Sequence, residues 1–274
     1  MNEEVLPAAA AALERGEPSA LVTIVRASGS TPQRTGAKML VFADGRTVGT
    51  IGGGCYENDA LGKARDAIAT GKPALVKYDL NDDFVQESGL ICGGQMEVYI
   101  DPIAPAPSLY VIGAGHVGWH LGRLAADAGF RLHVVDDREK FANAERFPAA
   151  ATIEVDDLGA WLHRAELPAS SYVVVVTRGH THDFEAVRAL AARDLRYLGL
   201  IGSRAKVARI FDALEAEGMP LECLARVHAP IGLDIGAITP AEIAISILAE
   251  LIAIRHGKDV SSLSLKWSRQ ARKG

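Results

Sequence analysis

Three consecutive glycines, Gly52, Gly53 and Gly54, precede Cys55 in the stretch TIGGGCYEND, between a β-rich run and a run with helical spacing. Glycines at such a junction remove side chains and accept positive φ, so a bulky ligand can approach the backbone closely. The cysteine then falls at or near the first turn of a helix, where the partial positive charge favours a thiolate. Such a sulfur over an open glycine bed is suited to sulfur chemistry. The stretch ESGLICGGQMEV repeats the pairing, with Cys92 followed by Gly93 and Gly94. A small buried hydrophobe is the plainer alternative for any free cysteine, and it is the reading adopted for Cys223, which has no glycine nearby. The loop ASGSTPQRTGAKM adds Arg34 and Lys38, which could hold phosphate through a bidentate fork and a point charge respectively. A merely solvated loop is the alternative there.

A second group of candidates lies in LYVIGAGHVGWHLGRLAADAGFRLHVVDDRE. Gly113, Gly115 and Gly118 form G-x-G-x-x-G after an apolar run and at the start of a helical one. In that context the first glycine allows a tight turn and the second lets backbone approach a pyrophosphate. The third packs helix on strand, while the helix N-terminus offers free N–H groups to the anion. Asp136, at the end of the next apolar run, has the spacing of the acid that holds ribose hydroxyls. Arg138 keeps a 2′-phosphorylated ribose open, although Asp136 would repel it. The motif specifies a nucleotide and not its chemistry, since nicotinamide, flavin and molybdopterin dinucleotides all carry the same pyrophosphate. Further on, Gly202, Ser203 and Arg204 in GSRAK form a candidate second anion site, with helix capping by Ser203 as the competing explanation. His180, His182 and Asp183 are metal ligands by type, but no open tetrahedral set can be assembled from their segment, so no protein-held metal is expected.

Two kinds of scaffold must position these residues. Residues 1–101 read as a small α+β domain: a helix near residues 5 to 15, strands at ALVTIVRA, AKMLVFA, TVGTI, ALVKYDL and QMEVYIDPI, and a helix at YENDALGKARDAIATG. Prolines concentrate in DPIAPAPS, and residues 102–108 read as the linker. From 109 to 258 short apolar runs alternate mostly with helical segments, the pattern of an α/β domain with a Rossmann-like doubly wound parallel sheet. Its last helix has Thr239 as N-cap, Pro240 at the first position and Gly257 as stop. The apolar face of EIAISILAELIAI could serve a core or the seam of a homodimer. Residues 259–274 form a C-terminal tail with no assigned role.

A length of 274 residues accommodates two such domains. With 49% hydrophobic and 23% charged residues and a net charge of −5, the chain reads as a soluble globular protein without a nucleic-acid surface. The acidic start argues against a signal peptide, and no apolar run approaches the roughly 20 residues a bilayer requires. A cytoplasmic protein with no membrane partner is expected. Its three cysteines, with no short-spaced pair, argue against a disulfide framework and a Cys-x-x-Cys zinc site.

Taken together, GSTPQRTGAKMLV, GTIGGGCYE and CGGQMEVYI in the first part, and VIGAGHVG, VVDDRE, TRGHTHD, GLIGSRAK and HAPIGLDIGAITPAEIAISILAEL in the second, resemble the XdhC/CoxI family over nearly the whole chain. That family comprises accessory proteins of xanthine dehydrogenase and related molybdenum hydroxylases. The resemblance implies a protein that binds molybdenum cofactor, as molybdopterin or its cytosine dinucleotide. It further implies sulfuration of that cofactor with a cysteine desulfurase and delivery to an apo molybdenum hydroxylase. Under this expectation Cys55 and Cys92 handle sulfur or lie near molybdenum, and the Rossmann cleft holds phosphate or nucleotide. The alternative is an NAD(P)-dependent oxidoreductase using His116, His180 or His182 as proton donor. None of these is paired in sequence with an orienting carboxylate, and the glycine-cysteine loops are left without a role.

Overall fold

Alternation of apolar and polar residues in the first hundred positions produces an antiparallel sheet backed by a helix on each face. The computed structural model describes residues 3–79, 94–260 and 263–265, which form two compact units, Met1–Ala106 and Pro107–Gly274. The first contains α1 (Val5–Arg15), β1 (Ser19–Ser28), β2 (Lys38–Phe42), β3 (Thr47–Gly49), α2 (Cys55–Thr70), β4 (Ala74–Asp79) and β5 (Gln95–Ile103). The strand order is β3-β2-β1-β5-β4, with every pair antiparallel. Val22 and Ile24 of β1, Met39 and Val41 of β2 and Val98 and Ile100 of β5 point to one face. There α2 lays down Ala60, Ala64 and Ala67, a stripe at helical spacing. Leu40 and Phe42 point to the other face and meet Val5, Ala9 and Ala12 of α1.

The expected linker is shortened at both ends, because β5 runs through Pro102 to Ile103 and the next strand begins at Ser108. Pro102 is tolerated because it pairs with Ala20 of β1 beyond the last β4 partner of β5, Ile100. A missing N–H there costs no ladder bond on the open side.

The second unit contains β6 (Ser108–Ile112), α3 (His116–Asp127), β7 (Arg131–Asp136), β8 (Thr152–Val155), α4 (Leu158–Arg164), β9 (Tyr172–Val175), α5 (His180–Leu190), β10 (Tyr197–Leu200), α6 (Arg204–Ala216), α7 (Leu221–Arg226) and α8 (Pro240–Arg255). All pairs in its sheet are parallel, in the order β10-β9-β6-β7-β8. Every residue of β9 and β10 is buried, as expected for strands covered on both faces. The helices α4, α5 and α6 cover one face, and α3 and α8 the other. This is a Rossmann-like doubly wound sheet, and its order reverses between β6 and β9. The crevice beyond the carboxyl ends of those two strands is where such sheets bind ligands.

Helix α8 starts with a capping box in which Thr239 and Glu242 satisfy each other's backbone N–H groups. Ala244, Ile247 and Leu251 enter the core, while Ile245 and Ile252 stay exposed. Its buried acid, Glu250, accepts from the Tyr197 hydroxyl (2.6 Å), the Gly232 N–H (2.8 Å) and the Ser264 hydroxyl (2.8 Å), and faces His228 Nδ1 at 3.2 Å. Burial works against ionisation, but His228, Tyr197 and Gly232 outweigh it and hold the carboxyl at about 2. Among the described residues, no helix is long and apolar enough to cross a membrane.

Candidate functional site

In the first unit the glycine loop before Cys55 and the STPQR loop lie against each other, and Gly94 at the start of β5 packs on the latter. Gly49, Gly52, Gly53 and Gly54 all have φ between 76° and 126°, a region only glycine enters without cost. A Cβ on Gly52 would sit 2.5 Å from the Tyr56 hydroxyl and 2.7 Å from Pro32, so this loop presses on the STPQR loop. Gly94 presses on the same loop from the β5 side, where a Cβ would meet the carbonyl oxygens of Ser30 (2.5 Å) and Ser28 (2.6 Å). Cys92 and Gly93 lie outside the described residues. Cys55 is the first residue of α2 and is exposed.

The glycine loop is organised by a residue to which the sequence reading gave no role. Glu57 Oε2 accepts from the N–H groups of Ile51 (2.9 Å), Gly52 (3.2 Å) and Gly53 (3.0 Å) and from the Thr50 hydroxyl (2.6 Å). Burial disfavours the charged form, yet the Thr50 hydroxyl and the three amides hold the carboxyl below its ordinary value. The amides of this bed therefore point inward to the chain's own carboxylate, and the loop is a rigid seat for Cys55. An acid at the third helical position, just after the run of glycines, was the available signal.

Arg34 is exposed on its loop. Lys38 begins β2, and its amine donates to Thr23 Oγ1 at 3.3 Å. It shares strand parity with Leu40 and Phe42, so it projects from the face that carries α1, opposite the face on which α2 and Cys55 lie. The structure does not bring Lys38 to the thiol.

In the second unit the three glycines of the motif differ in what surrounds them. Gly113 has φ 108°, and a Cβ there would lie 2.5 Å from the Val176 carbonyl. A Cβ on Gly118 would run into the carbonyl oxygen of Gly113, whereas one on Gly115 would have no atom within 4 Å. The open space is at the N-terminus of α3.

Asp136, the expected ribose ligand, makes four contacts within the chain. Its Oδ2 accepts the Ala114 N–H at 2.7 Å and Arg138 Nη2 at 3.0 Å, and its Oδ1 accepts Arg138 N (3.0 Å) and Nε (2.8 Å). Despite burial, Arg138 and Ala114 hold this carboxyl below its ordinary range. Asp136 thus ties the glycine loop to the end of β7 and pairs with the Arg138 guanidinium. Beside it, Arg178 after β9 reaches Asp137 after β7 at 2.8 Å, and both line the crevice with Thr177 and His182.

On the β10 side, Ser203 caps α6 by accepting the Lys206 N–H at 3.2 Å, and Arg204 is exposed. The cation that turns into the structure is Lys206. It pairs with the fully buried Asp183, whose Oδ1 accepts the Thr177 hydroxyl at 2.6 Å. Gly202 makes room for it, since a Cβ there would lie 3.0 Å from Lys206 Cδ. Arg146 also carries no motif: Nη2 donates to the Ala114 carbonyl at 3.2 Å, and the guanidinium lies over Phe141, which also carries Arg138. Cys223 is partly buried against the core of α4, α5 and α6, as its sequence context suggested. Among the described residues no group of three or more His, Cys, Asp or Glu side chains could hold a metal.

Comparison with known proteins gives this arrangement a lineage. Residues 109–251 match the XdhC Rossmann domain and residues 12–79 the XdhC and CoxI family. YqeB of Escherichia coli (strain K12) is 37% identical over 89% of this chain, which spans only 44% of YqeB. A probable xanthine dehydrogenase subunit from Bacillus subtilis (strain 168) is 26% identical, over 89% of this chain and 96% of its own length. The molybdenum cofactor insertion chaperone PaoD of E. coli is 25% identical, over 96% and 92% respectively. A crystal structure of a xanthine dehydrogenase from Bacillus halodurans superposes with a TM-score of 0.51 at 25% identity, covering 94% of this chain and 97% of that one. Both the cysteine-bearing unit and the parallel-sheet unit thus find their counterparts in one lineage, and the chain belongs to the XdhC and CoxI family.

Proposed function

We propose that this chain is a maturation factor that binds molybdenum cofactor, supports its sulfuration by a cysteine desulfurase, and passes it to an apo molybdenum hydroxylase such as xanthine dehydrogenase. The observation that carries the proposal is the exposed thiol of Cys55, seated on a glycine loop that Glu57 holds rigid. The names of two relatives, one an insertion chaperone and one a component of xanthine dehydrogenase, support a maturation role. In this reading Cys55, with Cys92 as a second thiol, serves the molybdenum end of the cofactor. The open position at Gly115 and the first turn of α3 receive its phosphate, whether the pterin is bare or a cytosine dinucleotide. When bound, the cofactor would supply a molybdenum centre as the substrate for sulfuration, with Cys55 and the glycine loop holding that end. The protein's own residues bind and orient it and keep a thiol accessible. Such a factor works in the cytoplasm, beside its desulfurase and its client.

The intact glycine motif supports a second reading, an NAD(P)-dependent oxidoreductase. Against it, the Asp136 carboxylate that would take ribose hydroxyls is already bridged by Arg138. The deciding experiment is the molybdenum and pterin content of protein purified from cells that make the cofactor, beside its Cys55→Ala variant. Near-stoichiometric molybdenum and pterin, lost in the variant, is the expected result. Bound NAD without pterin would overturn the proposal.

A further inference from the structure

A cavity of about 310 Å³ opens at the amino-terminal edge of the parallel sheet, between the segment that enters β10 and the end of α7. It lies at the other end of the strands from the glycine crevice. Arg193, Arg196, Arg226 and His228 line it, and no acidic side chain does. In a chain whose net charge is −5, three guanidiniums around one cavity, one of them beside the exposed Asp194, make a local positive field.

The four are not equivalent. Arg193 is structural: it donates to the carbonyls of Ala189 (3.2 Å), Ala165 (2.8 Å) and Leu162 (2.7 Å), tying the ends of α4 and α5 together. Arg226 makes two long contacts, to the Arg193 carbonyl at 3.4 Å and to Asp194 at 3.3 Å, and the Asp194 side chain is 87% exposed. Arg196 makes one, to the Ile254 carbonyl at 3.5 Å. Each guanidinium presents five N–H donors in a planar fork, so both keep donors for a ligand. His228 Nδ1 faces the buried Glu250, and its ring lies 4.5 Å from that of Tyr197. With Nδ1 engaged, Nε2 is the nitrogen left for a ligand.

We propose that this cavity binds a compact tetrahedral oxyanion, either free phosphate or the phosphate group of a small metabolite. Arg196, Arg226 and His228 are its ligands and Arg193 is the fixed support. Forked guanidinium contacts suit the oxyanion geometry, and the volume admits a small molecule and not a folded segment. The inference is independent of what the glycine crevice binds.

The test is a titration of the full chain with inorganic phosphate, and separately with glucose 6-phosphate, followed by backbone amide NMR shifts. Saturable shifts at residues 193–197 and 226–228 are expected. The Arg196→Gln/Arg226→Gln variant should weaken binding at these amides about tenfold or more, as loss of charge-assisted contacts implies. Asp194→Asn, which frees Arg226 from this carboxylate, should tighten it. Tighter binding of the ester assigns a metabolite, and tighter binding of the inorganic ion assigns free phosphate. No saturable shift at these amides in the wild type, or one unchanged in the double variant, overturns the proposal.

Discussion

Removing the carboxylate of Glu57 should free the cysteine loop while leaving the sheet behind it intact. One oxygen serves four donors, the amides of Ile51, Gly52 and Gly53 and the Thr50 hydroxyl. Shared in this way it is worth about two full charge-assisted bonds, each roughly 1.5 kcal/mol, so Glu57→Ala should cost the loop about 3 kcal/mol. Glu57→Gln keeps an acceptor but loses the charge, and should cost about half of that. Amide hydrogen exchange at Ile51, Gly52 and Gly53 reads these as protection falling about 150-fold and about 10-fold respectively. Val22 and Val98, in the middle of the sheet, should be unaffected. A pH series adds a second check. Burial raises the carboxyl, but the Thr50 hydroxyl and the amides more than offset it, so the folded value lies below the ordinary 4.5. The extra protection is therefore complete above about pH 4.5 and lost as pH falls through the folded value. In Glu57→Gln this dependence should vanish. Unchanged protection in Glu57→Ala, or pH dependence surviving in Glu57→Gln, would refute the assignment of Glu57 as the lock on the loop.

Two substitutions in the glycine motif should split. Gly118→Ala forces a Cβ into the Gly113 carbonyl and should cost about 3 kcal/mol in thermal unfolding, whereas Gly115→Ala, with no atom within 4 Å, should cost under about 1 kcal/mol and weaken phosphate or nucleotide binding instead. Asp183→Asn leaves Lys206 charged and partnerless in a buried setting and should cost about 3 kcal/mol in urea unfolding. The Asp183→Asn/Lys206→Met double variant should recover most of it, and simple additivity of the two single losses would rule out the pair. Glu250→Ala should destabilise the second unit by about 3–5 kcal/mol at neutral pH, since it strands His228, Tyr197 and Gly232 N–H. Because its folded value is about 2, that contribution is full above the ordinary carboxyl range and drains as pH drops toward 2. A wild-type protein equally stable at pH 3 and pH 6 would contradict it.

Much of this protein is determined locally and was legible in its sequence. Thr239, Pro240 and Glu242 fix the start of α8 because a capping box needs only residues three apart. Gly113, Gly115 and Gly118 mark a tight turn entering a helix because each tolerates a backbone or an approach that a side chain would forbid. The wholly apolar runs of β9 and β10 disclose a parallel sheet because both faces are covered. What the sequence left undecided is where the charged side chains spend their hydrogen bonds. Asp136 has the spacing of a ribose ligand, yet its carboxylate closes on Arg138 and on an amide 22 residues away. Lys38 shares a loop with Arg34 but is sent by strand parity to the face away from Cys55. Asp183 finds Lys206, and Arg193, Arg226 and His228 gather around one cavity, only because β9 and β10 lie side by side after separate helical crossovers. Local spacing sets backbone conformation, whereas the partner of a charge depends on strand order and crossover, which no short window of sequence contains.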